Sequence, residues 1–305
     1  MLATNTLAEG ETGLEAAAAP KPRSEWTMAW RRLRRNKAAL GGLGILIIIS
    51  LAAIFADVIA TEPENHFDIM AAELPPGSEG HPLGTDDIGR DVFSRIVRGS
   101  RISLRVGFSA VTISAIAGTL IGLSAGYFGR WVDMVISRFI DVMLAFPGLL
   151  LAMTVVAALG SGLNNAMIAL GVAGIPFYAR VVRSTTLAAR ELVYVRAARA
   201  VGMSDARIML RHILPNIVSP ILIMATLGLG GAILAAAGLS FLGLGAERPS
   251  PEWGLELSSS RHLLRSSWWI STFNGLAIAI TVLSINLLGD GLREALDPQA
   301  GAWSH

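Results

Sequence analysis

Tyr194 to Asn216 reads YVRAARAVGMSDARIMLRHILPN, a charged, amphipathic stretch between two strongly apolar runs. Asn164 to Val182 precedes it and Ile213 to Leu242 follows, each long enough for a membrane span. A polar island between two such runs is a loop joining two spans. Hydrocarbon admits only chains that satisfy their own backbone groups, so the fold class is an all-α integral membrane protein.

Composition agrees. The 305 residues are 52% hydrophobic and 16% charged, with mean hydropathy +0.55, too apolar for an ordinary soluble domain. Cysteine is absent, which excludes disulfides, thiolate metal sites and a cysteine nucleophile. The net charge of +2 selects no partner. The arginines are spread through loops with no aromatic-studded basic groove, so no nucleic-acid partner is expected. Residues 1–24 combine acids and small residues without an apolar core and read as a disordered cytoplasmic tail. Residues 25–38 read as a basic interfacial segment, with Trp26, Met28 and Trp30 beside Arg31, Arg32, Arg34, Arg35 and Lys37.

A hydrocarbon layer of about 30 Å takes roughly 20 residues of helix. Six runs meet that need: 39–60, 106–128, 132–159, 164–182, 213–242 and 272–288. The cations before the first run place the N-terminus in the cytoplasm, and six crossings return the C-terminus there. The island then also faces the cytoplasm, in agreement with Arg180, Arg183, Arg190, Arg196, Arg199, Arg207 and Arg211. Arg90, Arg95, Arg98, Arg101 and Arg105 fall on the outer side, against the rule. The chain divides into a first transmembrane helix at 39–60, an extracytoplasmic segment at 61–100, a core at 101–298 with a motif at 191–215, and a C-terminal tail at 299–305. Trp268 and Trp269 are expected at the outer membrane interface.

No catalytic, cofactor-binding or metal-binding residue stands out. Lys21 and Lys37 are the only lysines and neither follows a glycine-rich loop, so there is no Walker A cradle. The five histidines form no helical metal pair. Gly122-Leu123-Ser124-Ala125-Gly126 has the spacing of a nucleophile elbow but lies inside an apolar span, where small residues serve helix packing. Asp86, Asp87 and Asp91 lack the alternation of a calcium loop and read as solvated loop acids. Arg138 and Asp141, three residues apart in the third span, share a helix face and read as a structural ion pair or a pathway element. Pro147, Pro176 and Pro220 fall inside spans and predict kinks.

Within the island, Ala197, Ala198 and Ala200 form a small-residue strip between Arg196 and Arg199 on a short helix. Gly202 turns the chain, and Ser204 with Asp205 opens a second short helix. Pro215 fits the first turn of the next span. By physics alone this is either a device that transmits a push or a loop lying on headgroups.

The spacing of Arg196-Ala197-Ala198, Gly202 and Ile213-Leu214-Pro215 resembles the coupling motif of permease subunits of ATP-binding-cassette (ABC) importers. Arg196 and His212 replace the motif's usual glutamate and isoleucine. Those departures are similar to the dipeptide/oligopeptide branch (DppC/OppC-like). So are HPLGTDDIGRDVFSRIVRGSRISL from His81, GLSFLGLGAERPSPEWG from Gly238 and NLLGDGLREALDP from Asn286.

The resemblance covers about residues 30 to 298. It implies a six-helix, type I ABC importer permease fold with a cytoplasmic coupling helix between helices 4 and 5, in a bacterial or archaeal cell membrane. It assigns ATPase coupling to Arg196, Ala197, Ala198, Arg199, Gly202, Leu214 and Pro215. It implies as partners a second permease subunit (DppB/OppB-like), cytoplasmic ATPase subunits (DppD/DppF-like) that bind ATP and magnesium, an extracytoplasmic substrate-binding protein, and membrane lipid. The cargo implied is a di- or oligopeptide; nickel, glutathione and oligosaccharide importers share the pattern. A proton-coupled transporter or an integral membrane enzyme are the readings of a different class.

Overall fold

The computed structural model describes residues 30–296. The expected tails at 1–24 and 299–305, and Trp26 and Met28 of the interfacial segment, lie outside the described residues. The helices are α1 (Lys37–Ile54), α2 (Ala56–Ile59), α3 (Val92–Phe128), α4 (Arg130–Leu144), α5 (Gly148–Leu159), α6 (Leu163–Ala189), α7 (Val193–Ala200), α8 (Asp205–Ile208), α9 (Leu214–Phe241), α10 (Trp253–Ser260) and α11 (Trp268–Leu296). A π-helical turn, Met209–Ile213, joins α8 to α9.

Side-chain contacts settle how the chain crosses. The Asn36 amide donates to Glu294 at 2.9 Å, so the start of α1 and the end of α11 share one face, here the proximal face. Arg101 of α3 meets the end of α1 at the Ala53 carbonyl, at 2.9 Å, and Asp57 of α2 at 3.1 Å, on the opposite, distal face. The end of α3 therefore returns to the proximal face. Ser161, after α5, reaches Glu247, after α9, at 2.8 Å, which puts both on the distal face. The pair α4 and α5 thus makes one crossing, although its two halves meet at 94°. With the five long apolar helices this gives the six crossings expected.

The bend sits where the sequence places Pro147, whose ring disfavours a helical preceding residue. Pro176 and Pro220, by contrast, are accommodated inside α6 and α9. Two acid–arginine pairs tie α4 to α6. Asp133 takes Arg183, with one bond at 2.7 Å, and Asp141 takes Arg180 at 2.6 Å. Asp141 is therefore paired across helices, while Arg138 is exposed on α4.

The bundle's tightest seam lies between α3 and α6. Gly118, Gly122 and Gly126 are four residues apart and so share one face. A Cβ at Gly122 would stand 2.4 Å from the Ala179 carbonyl, and one at Gly126 would stand 2.7 Å from Thr186 Cβ. The backbones approach because nothing projects between them. Ser124 of the same stretch is half-buried and donates to the Leu120 carbonyl.

Helix α3 has 37 residues, about 55 Å at 1.5 Å per residue, far more than a bilayer requires. Its first turns organise the distal cap, and this accounts for four of the five arginines that conflict with the charge rule, Arg105 being exposed. Arg95 is buried against Glu256 and donates to the Pro249 and Ser250 carbonyls at 3.0 Å. Arg90 pairs with Asp86 at 2.6 Å. Arg98 donates to the Glu62 carbonyl at 2.6 Å. Arg101 caps α1 by donating to the Ala53 and Ile54 carbonyls at 2.9 and 3.1 Å. These cations are committed to the fold. Asp86 and Asp91 likewise depart from the solvated-loop expectation. Both are buried, and Asp91 caps α3 through the Ser94 amide at 2.7 Å while taking His81 at 3.1 Å. Of the tryptophan pair, Trp268 is exposed, but Trp269 is buried on Val92 and Ile270 and donates to the Thr85 carbonyl at 3.1 Å.

Glu252 caps α10 by accepting from the Leu255 amide at 2.8 Å. It is buried, and that burial pushes its carboxyl above the ordinary range. An acid raised in the fold stabilises it fully below the unfolded pKa and loses that contribution as pH rises through the folded value. Glu252→Gln keeps an acceptor without the charge. It is expected to raise the melting temperature by a few degrees near neutral pH, with the gain vanishing below the unfolded glutamate value; thermal unfolding across pH checks it.

Candidate functional site

The island from Tyr194 to Asn216 folds on the proximal face as a helix, a turn and the opening of the next span. Helix α7 buries Val195 and Ala198 in a cluster with Leu123, Tyr127, Val182, Ile208 and Ile213. Helical spacing then turns Val193, Tyr194, Arg196, Ala197, Ala200 and Val201 outward. The expected alanine strip is thus divided: Ala198 seats the helix on the body, and Ala197 and Ala200 remain on the free side. Val193 and Val201 are 75% and 80% exposed, an unusual display of β-branched apolar residues on a face bearing arginines.

Gly202 closes α7. Its φ of +79° lies in the left-handed region, its amide bonds the Arg199 carbonyl at 3.0 Å, and the Met203 amide bonds the Ala198 carbonyl at 3.1 Å. This pair of bonds, with Met203 packed on the same cluster as Ala198, is a Schellman ending. A Cβ at Gly202 would meet nothing within 4 Å. Glycine there serves the backbone angle and leaves the surface flat.

Ser204 takes the cap position of α8, but its hydroxyl makes no capping bond. Asp205 instead accepts from the Tyr127 hydroxyl at 2.5 Å. The Arg199 guanidinium lies 5.0 Å from the centre of the Tyr127 ring. The neighbouring Tyr127 holds the Arg199 pKa above the ordinary arginine value. Helix α8 runs through the π-turn into α9 rather than forming a separate short helix, so the expected second helix is the first part of the fifth span. Leu214 is half-buried on the α7 cluster, and Pro215 is exposed in the first turn of α9. The residues expected to couple therefore divide by position. Arg196, Ala197, Arg199 and Gly202 are presented, whereas Ala198, Leu214 and Pro215 are internal or hinge positions. Sequence reasoning missed Tyr127: an aromatic at the end of a span reads as an ordinary interface marker.

Six crossings with a short helix between the fourth and fifth form the arrangement expected of a type I importer permease subunit. The chain matches the family model described as binding-protein-dependent transport system inner membrane component over residues 118–301, and an N-terminal transmembrane domain of oligopeptide transport permease C over 24–76. It belongs to that family of ABC importer permeases. It is 50% identical over 282 residues to a dipeptide transport system permease protein DppC of Alkalihalophilus pseudofirmus, covering 90% of each chain. It is 45% identical over 278 residues to a glutathione transport system permease protein GsiD of Pectobacterium atrosepticum, covering 91% of this chain and 92% of that one. A solved inward-facing MetNI methionine ABC transporter chain shares the fold, with a TM-score of 0.52 at 20% identity over 67% of this chain and 97% of that chain.

Proposed function

We propose that the chain is the C-type permease subunit of an importer of di- or oligopeptides, and that α7 is the helix through which ATPase subunits move it. The observation that carries the coupling role is the presented face of α7. It is a rigid, closed helix whose buried side fixes it to the bundle and whose free side combines exposed valines, small residues and arginines. A groove on a partner can take such a face without leaving a buried charge unpaired. The proximal face is then cytoplasmic, with both chain ends inside. The distal cap faces the substrate-binding protein, and a B-type permease (DppB/OppB-like) completes the pathway. Catalysis of ATP hydrolysis belongs to DppD/DppF-like subunits, with this chain a non-catalytic member of the complex.

The dipeptide cargo is supported by the 50% identical relative. Glutathione, itself a peptide, is the second reading, supported by the relative at 45%. Purified with its neighbouring subunits, the chain is expected to bring down ATPase subunits, and vesicles holding the complex and its binding protein are expected to take up dipeptide with ATP inside and no proton gradient. Uptake driven by a proton gradient without ATP would overturn the reading. Calorimetric titration of the binding protein with a dipeptide and with glutathione decides between the two cargoes.

A further inference from the structure

The polar contacts around α7 are one-sided. Toward α3 the island is held by the Tyr127 hydroxyl on Asp205 at 2.5 Å and by Arg199 over the Tyr127 ring at 5.0 Å. Tyr127 is itself buried in the cluster that holds Val195, Ala198 and Ile208. One turn away, Arg190 at the end of α6 donates to the Gly126 carbonyl at 2.9 Å, so the proximal ends of α3 and α6 are joined at the same place. Toward α9 the island has the Tyr194–His212 ring approach at 6.3 Å and an irregular backbone. The Leu214 amide reaches back five residues to the Met209 carbonyl, the signature of a π-turn. Pro215 has no amide to donate and removes the next rung. The polypeptide between α8 and α9 is therefore the easiest place in this region to bend.

We propose that Tyr127 is a positioning residue for coupling. Its stack under Arg199 of α7 and its bond to Asp205 of α8 lock the island to the glycine-packed α3–α6 pair. A displacement delivered at α7 is then passed to that pair, while α9 pivots at Met209–Pro215. Without the lock, the same displacement is absorbed in the π-turn and ATP is spent without moving the pathway. The proposal rests on the coupling role of α7.

The test uses the whole importer reconstituted with its binding protein and reads substrate molecules taken up per ATP hydrolysed. Tyr127→Phe keeps the ring and its packing and removes only the hydroxyl. It is expected to lower that ratio about ten-fold, the scale of one hydrogen bond to a charged group. Asp205→Ala should give the same loss, the double variant no further loss, and Asp205→Asn, which keeps an acceptor, a ratio close to wild type. A wild-type ratio in Tyr127→Phe, losses that multiply in the double variant, or a fall in assembled complex matching the fall in ratio would each overturn the proposal. Gly202→Asp in the same assay separates the two levels. If it leaves uptake intact, the coupling role itself fails; if it blocks uptake while Tyr127→Phe does not, only the lock fails.

Discussion

Gly202→Asp is expected to abolish substrate-stimulated ATP hydrolysis and uptake while leaving the protein in the membrane at normal abundance. The fold tolerates the change. No atom lies within 4 Å of where the new Cβ would stand, and the only internal penalty is the left-handed backbone at φ +79°. For a residue other than glycine that amounts to about 1 kcal/mol, and aspartate is among the residues that bear it best. Under the proposed docking of α7, a carboxylate placed at its end is desolvated against the partner, and that is the origin of the expected loss. Gly202→Ala carries the backbone penalty without the charge, so it should retain most activity. Stimulated ATPase in proteoliposomes measures both, with a loss of about ten-fold or more expected for aspartate alone. Equal losses in the two variants would place the effect in the turn rather than at the docking surface.

The crossings and the island were legible because each follows from a local rule. Hydropathy over a span-length window finds apolar runs, and the glycine before a serine–aspartate pair marks the end of one short helix and the start of another. The errors concern residues whose partners are far away in the chain. Arg95 reads as a loop cation breaking the charge rule until Glu256, 161 positions on, is placed against it. Trp269 reads as a surface residue because Thr85 and Val92, which it packs on, lie far back in the chain. Asp86 and Asp91 are the exception, since Arg90 and Ser94 stand close by in sequence and it is the fold of the loop that buries them. The division of the alanine strip has a different origin. Helical periodicity says that Ala197 and Ala198 face apart, but it does not say which of them faces the body. Only the position of Leu123, Tyr127 and Val182 decides that, and Ala198 is the one they cover. Pro147, Pro176 and Pro220 show the limit of a local rule: one breaks its span by 94° and two sit inside continuous helices.

Glu256→Leu is expected to be the most destabilising single change in the distal cap. Arg95 and Glu256 are each about 4% exposed, and Arg90 approaches the same carboxylate at 3.9 Å. Removing the carboxylate leaves the Arg95 charge buried with two backbone carbonyls as its remaining partners, while its Nη1 already lacks one. Breaking one side of a buried pair costs about 3–5 kcal/mol, a fall of roughly 10 °C in melting temperature for a chain of this size. The loss should be local at first. The 243–252 segment, pinned by Arg95 at Pro249 and Ser250, should become a protease target before the span helices unfold. The companion variant identifies the cause: Arg95→Met with Glu256→Leu removes both charges and fills the space with apolar atoms, which restores stability when an uncompensated charge was the fault. A double variant no more stable than Glu256→Leu would instead make the hydrogen bonds from Arg95 to the 249–250 backbone the dominant contribution. Thermal unfolding of the three proteins, with timed proteolysis of the distal cap, separates these outcomes.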